Sequence, residues 1–216
     1  MELGALPQGA AHFLEAAVQA GANLVVSGPT GSGKTTFLNA LGAAIASPEE
    51  RVITVEEVAE LQLDRQLPDC VALQARGGNV EGVGEIRIRD LVRNALRMRP
   101  TRIVVGEVRG AEALDMLLAM MAEERLSGEA LVKMLARTID LVLQLRFEPR
   151  TGRRRLVSVF EVTGLEGSVV TGNELWALDP KSDRLAWTGI RPRLLEKMAA
   201  RGVPYSLPTA AEAVRQ

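Results

Sequence analysis

Aromatic side chains are scarce in this 216-residue sequence, where Phe, Trp and Tyr together make up 3%. Leu, Val and Ala must therefore fill its core, and few rings are on hand to stack against nucleic-acid bases. There is one cysteine, Cys70, which excludes an intrachain disulfide framework and suits a reducing compartment. Its expected role is that of a small buried hydrophobe. The single histidine, His12, falls in an N-terminal helical stretch and is expected to face solvent or pack. Neither sign of charge is in excess: 26 Lys plus Arg stand against 27 Asp plus Glu, a formal net charge of −1. No global field recruits nucleic acid or anionic membrane. No apolar run is long enough to cross a bilayer, and no basic segment followed by an apolar core opens the chain. The expectation is a soluble protein that reaches membranes only through partners, without inserting. What remains is an ordinary globular composition, 47% hydrophobic and 25% charged, long enough for one principal domain with a substantial core.

The early chain alternates short apolar runs with helical periodicity. Ala10 to Ala20 reads as an amphipathic helix broken by Gly21, and Asn23 to Ser27 as a buried strand. A Gly-rich loop follows, then good helix formers from Lys34 to Ala46, closed by Ser47-Pro48. Arg51 to Val55, Val71 to Gln74 and Arg102 to Gly106 are further strands. Arg87 to Met98 is a helix ended by Pro100, with apolar positions at Ile88, Leu91, Val92, Ala95 and Leu96, and Ala111 to Ala122 is another. Such alternation implies an α/β fold with a mostly parallel sheet. After about residue 138 the texture turns to β: Ile139 to Phe147, Arg154 to Val162, Ser168 to Leu178 and Arg184 to Thr188, separated by turn material such as Pro149-Arg150-Thr151-Gly152. Antiparallel hairpins are expected there, and then a last helix from Pro192 to Ala200.

The chemistry is concentrated in Gly28-Pro29-Thr30-Gly31-Ser32-Gly33-Lys34-Thr35, a complete G-x-x-x-x-G-K-[ST] between a predicted strand and a predicted helix. The glycines let the backbone curl until successive N–H groups point inward, and the helix that begins at Lys34 adds its positive end. That is a cradle for the phosphates of ATP, with Lys34 reaching the β- and γ-phosphates and the Thr35 hydroxyl on Mg²⁺. Thr36 completes the binding stretch. A phosphate loop needs an acid at the end of a neighbouring strand, and Glu107 directly follows the apolar run Ile103-Val104-Val105-Gly106. Hydrolysis also needs a group to position water, and Glu56 and Glu57 close the second strand. Neighbouring strand residues face opposite ways, so one of the two faces the nucleotide; Glu56 is our choice, with Glu57 supporting. Arginines crowd positions 76 to 109, most of them on a helix face that Glu85 and Asp90 can pair, with one or two left as phosphate sensors.

These residues resemble the traffic ATPases of type II and type IV secretion systems, and most of all the branch that drives tight-adherence (Flp) pili. The pieces that carry the likeness are SGPTGSGKTT, ITVEEVAELQL, EIRIRDLVRNALRMRP and RIVVGEVRGAEALDML, in family order, dense from Phe13 to about Leu118 and looser from Ser127 to Val162. The resemblance implies a RecA-like P-loop core over 1–138, continued by a β-hairpin and helical part over 139–216, with the family's N-terminal domain absent. It implies a motor subunit that burns ATP with Mg²⁺, forms a hexameric ring and sits in the cytoplasm against inner-membrane pilus or secretion-platform proteins. The near-neutral charge and few aromatics argue against a nucleic-acid translocase of the same P-loop class. Lys34 and Thr35 match the Walker A lysine and hydroxyl, Glu107 the Walker B glutamate that with Thr35 attends the metal, and Glu56 the catalytic glutamate. Arg76, Arg87 and Arg99 fall where the family keeps arginines that approach phosphate; which of them act is left open. One departure stands out. The family's histidine box is missing, because Met120-Met121-Ala122 runs straight into Glu123-Glu124, so nucleotide binding is expected more firmly than turnover.

Overall fold

A computed structural model of the chain describes residues 6–45, 47–78, 84–107, 128–167 and 169–208. The chain forms two compact units, one of residues 1–37 with 132–216, the other of 38–131.

The first unit opens with α1 (Gln8–Gln19), whose Ala10, Phe13, Leu14 and Ala17 turn inward at helical spacing. It holds β1 (Leu24–Ser27) and the first turn of α2 (Lys34–Gly42). It then takes up most of α4 (Gly128–Thr138) and the run β5 (Leu141–Glu148), β6 (Arg153–Glu166), β7 (Val169–Asp179), β8 (Arg184–Trp187) and α5 (Leu194–Ala200). Its sheet has the order β1-β5-β6-β7-β8. β1 pairs β5 in parallel, Leu24 beside Leu141 and Ser27 beside Gln144, while the later pairs are antiparallel. Alternation along β5 sends Leu141, Leu143 and Leu145 into the core. Phe13 packs on the buried Trp176, ring centroids 4.8 Å apart, and Tyr205 meets Phe13 edge-on at 5.5 Å. Burial pushes the Tyr205 phenol up to about 12. Two carboxylates tie the ends of elements. Glu161 on β6, buried, accepts the N–H groups of Arg193 (3.0 Å) and Leu194 (2.8 Å) at the start of α5. Asp140 accepts the Asn23 N–H at 2.7 Å and the Lys197 ammonium at 2.6 Å.

The second unit, beyond the end of α2, contains β2 (Val52–Glu56), β3 (Cys70–Gln74), α3 (Ile88–Ala95) and β4 (Arg102–Val105). The three strands are parallel in the order β3-β2-β4, with Val52 beside both Cys70 and Arg102. β2 is buried along its whole length, as a central strand covered on both faces must be. Ile53 and Val55 pack against Ile88, Leu91, Val92 and Ala95 of α3, so the helix spacing read from the sequence is the packing face.

The α/β class and the hairpin-rich later chain agree with the sequence reading. Several boundaries differ. α2 stops at Gly42 instead of Ala46, where Leu63 lies against the position a Cβ would fill. α3 gives way at Leu96 to one 3-10 turn, and Arg99, at φ 54°, ends it before Pro100. Leu96 is accordingly exposed. α5 begins at Leu194, two residues after the expected start, and α4 was not anticipated, although Leu131, Met134 and Leu135 have helical spacing. The helix expected over Ala111 to Ala122 lies outside the described residues.

Candidate nucleotide site

The cradle is assembled at the end of β1. Residues 28–33 form the loop, and the Phe37 N–H donates to the Gly33 carbonyl at 2.9 Å as α2 begins. Gly31 and Gly33 have φ of 77° and 90°, a region that side chains with a Cβ rarely enter. Gly28 is required for a different reason: a Cβ there would lie 2.7 Å from Ser32 Oγ and 2.8 Å from the Leu145 carbonyl on β5. The Ser32 N–H donates to the Pro29 carbonyl at 3.2 Å, and Ser32 Oγ is buried with no hydrogen-bond partner among the described residues. The Lys34 ammonium folds back onto the loop, donating to the carbonyls of Gly28 (3.0 Å) and Pro29 (3.2 Å). Pro29, Thr30, Gly31 and Thr36 are exposed, and Thr35 is half-buried in the first helical turn. A curled glycine loop, a helix start, a buried hydroxyl without a partner and a lysine resting on carbonyls together fit a bound phosphate chain.

The sequence reading missed one participant. Arg154, at the start of β6, donates from Nε to the Gly31 carbonyl at 2.7 Å while its guanidinium stands 5.2 Å from the Phe147 ring centre.

In the second unit the acids sit at the carboxyl ends of two paired strands. Glu56 closes β2 and is 3% exposed, whereas Glu57 faces solvent, so strand alternation separates the two as expected. Glu56 Oε1 accepts the N–H groups of Glu60 (3.0 Å) and Leu61 (2.9 Å), which folds the chain after β2 back over the strand. Oε2 has no hydrogen bond among the described residues. On the adjacent strand the Gly106 N–H donates to the Val55 carbonyl at 2.9 Å. A Cβ on Gly106 would stand 2.7 Å from Glu56 Cγ, so the glycine makes room for the carboxylate. Glu107, next along, is exposed, as is Glu60.

With this geometry in view, similarity to known proteins becomes informative. The family model described as type II/IV secretion system protein matches residues 1–124. The chain belongs to that family. A Mycobacterium tuberculosis protein assigned to conjugal transfer is 41% identical over 192 residues, covering 77% of this chain and 53% of the relative. The Bordetella pertussis type IV secretion system protein PtlH is 48% identical over 108 residues, covering 50% of this chain and 31% of PtlH. Among solved structures, the Brucella suis VirB11 ATPase in complex with sulphate superposes with a TM-score of 0.56 at 30% identity, over 69% of this chain and 51% of VirB11. The Legionella pneumophila ATPase DotB shares the fold, with a TM-score of 0.52 at 24% identity, over 73% of this chain and 48% of DotB. The chain thus spans about half the length, or less, of the relatives it matches.

The remaining candidates make local contacts. Arg76 donates from Nε to the Gly84 carbonyl at 3.0 Å, and Arg87 pairs with Glu85 at 2.7 Å, holding that carboxyl below its usual range. Arg89 approaches Asp90 at 4.0 Å, Arg102 is held by Glu50, and Arg99 is exposed. The pairing of helix-face arginines with Glu85 and Asp90 is thus present. Arg109 and the stretch 120–124 lie outside the described residues. His12 is exposed on α1. Cys70 is half-buried, not fully buried as expected, because it opens β3; burial, Asp64 and Asp69 push its thiol up, away from reactivity. No group of three His, Cys, Asp or Glu is placed to hold a metal ion among the described residues. No helix there is long and apolar enough to cross a membrane.

Proposed function

We propose that the chain is the nucleotide-binding part of a motor subunit that hydrolyses ATP to drive secretion, conjugation or pilus assembly. The observation that carries this reading is the cradle itself: a complete phosphate loop between β1 and α2, with Lys34 held, among the described residues, by backbone carbonyls of that loop. The family membership and the sulphate-bound Brucella VirB11 ATPase support it. In this reading the N–H groups of 28–33 and the Lys34 ammonium take the phosphates, and Thr35 supplies its hydroxyl to Mg²⁺ with Glu107 as the second acid of the metal. When bound, Mg²⁺ offsets the charge that develops on the terminal phosphate. Glu56 orients the attacking water through Oε2, its Oε1 being fixed by two amides, and Glu57 supports it from the solvent side. Arg76, Arg87 and Arg99 are assigned to phosphate sensing, in this chain or in a neighbour of a homo-oligomeric ring of six. The finer placement, a cytoplasmic subunit on an inner-membrane platform of the tight-adherence pilus branch, rests on the sequence motifs alone.

A second reading has one specific feature behind it. Without a histidine box the subunit would bind nucleotide and assemble without turning it over. Phosphate release measured beside nucleotide affinity separates the two. Turnover that disappears in Glu56→Gln while binding persists establishes the motor; binding with no release above background in the unaltered chain establishes the assembly subunit. Equal turnover in Glu56→Gln would contradict the assignment of Glu56.

A further inference from the structure

Three arginines in a row, Arg153, Arg154 and Arg155, begin β6, and strand alternation sends the middle one the opposite way from its neighbours. Their electrostatic settings are correspondingly different. Arg155 is held by two carboxylates, Glu148 and Asp183, the latter at 2.7 Å. Arg153 is exposed. Arg154 has no carboxylate partner among the described residues; its one hydrogen bond runs from Nε to the Gly31 carbonyl, at 2.7 Å. Its two Nη groups make no hydrogen bond among those residues, leaving a planar fork of donors above the loop. The side-chain stem crosses Gly33, with Cδ 3.3 Å from where a Cβ would be, so the glycine is also what lets the arginine approach.

Lys34 is in the same condition, satisfied by the carbonyls of Gly28 and Pro29 and by no carboxylate among the described residues. Two cations therefore converge on one glycine loop with no carboxylate among the described residues to balance them, and a guanidinium fork suits bidentate contact with phosphate oxygens. We propose that Arg154 is a second phosphate-binding cation of the cradle, supplied by the same chain, which contacts the terminal phosphates of a nucleoside triphosphate beside Lys34. This deepens the proposed nucleotide function and rests on it. The bond to Gly31 is the resting arrangement, and Phe147 under the guanidinium keeps the side chain over the loop.

The test is calorimetric titration of the unaltered chain, Arg154→Gln, Arg154→Lys and Arg153→Gln with the magnesium complex of a non-hydrolysable ATP analogue and with AMP. Glutamine can still donate to the Gly31 carbonyl but carries no charge, so it separates a phosphate contact from a loop staple. Arg154→Gln is expected to lose about tenfold in affinity for the triphosphate and little for AMP, with an unchanged melting temperature of the free protein. Arg154→Lys should recover part of the loss, and Arg153→Gln should bind as the unaltered chain does. Triphosphate affinity in Arg154→Gln equal to that of the unaltered chain, or an equal loss for AMP, overturns the assignment of Arg154 alone. Failure of the unaltered chain to bind either nucleotide overturns the nucleotide reading and this assignment with it.

Discussion

The two units of this chain solve their packing and charge problems differently. Every Phe, Trp and Tyr belongs to the first unit, while 38–131 has none and relies on Ile, Val, Leu and Ala. The first unit centres on a ring cluster of Phe13, Trp176 and Tyr205; the second on a parallel strand buried end to end under one helix. The charges divide as well. In the first unit Lys34 and Arg154 rest on loop carbonyls, partners that an incoming phosphate can replace. In the second, Glu56 already has two amides fixed on Oε1. One unit waits for its counter-charge and the other is pre-set, so ligand should stabilise the first and change the second little.

The comparison can be broken most forcefully at Trp176. Replacing it by alanine removes the largest buried ring of the cluster and should lower stability by about 3–5 kcal/mol in urea unfolding. A loss under about 1 kcal/mol would mean that the aromatic cluster is not what holds the first unit. Next comes Glu56→Ala, which strands the buried Leu61 amide and should destabilise by about 1–3 kcal/mol, whereas Glu56→Gln keeps the acceptor and should melt close to the parent. If the glutamine variant melts as low as the alanine one, the two amide bonds are not the anchor. Gly106→Ala drives a methyl into Glu56 Cγ and should cost about 1–3 kcal/mol, with turnover falling as the carboxylate shifts. Wild-type melting and turnover there would show that the carboxylate has room to spare.

How much of this was legible in the sequence follows from distance along the chain. The cradle could be read whole because its eight residues are consecutive and its flanking strand and helix are periodic. Alternation alone said that Glu56 and Glu57 face apart; which one is buried depended on Gly106 and the Leu61 amide, on another strand and in a later loop. Arg154 could not be singled out, since it lies 123 residues from Gly31 and between two arginines of identical appearance. Helix ends were missed where packing decided them, as at Gly42 against Leu63.

The smallest expected effect concerns pH. Burial raises the Tyr205 phenol to about 12 from its ordinary 10.0, so the folded state favours the neutral form. Its contribution is complete below pH 10 and fades as pH climbs toward 12. Tyr205→Phe should therefore flatten the alkaline limb of the stability curve, and an unaltered limb would remove Tyr205 from the ring cluster's energetics.

The central claim, that residues 28–35 hold nucleotide phosphates, is tested most directly by titrating the magnesium complex of ATP into the unaltered chain and into Lys34→Ala. Saturable binding that raises the melting temperature of the unaltered chain and weakens by about tenfold to a hundredfold in the variant is the predicted result. Equal affinity in the two proteins, or none in either, would contradict it.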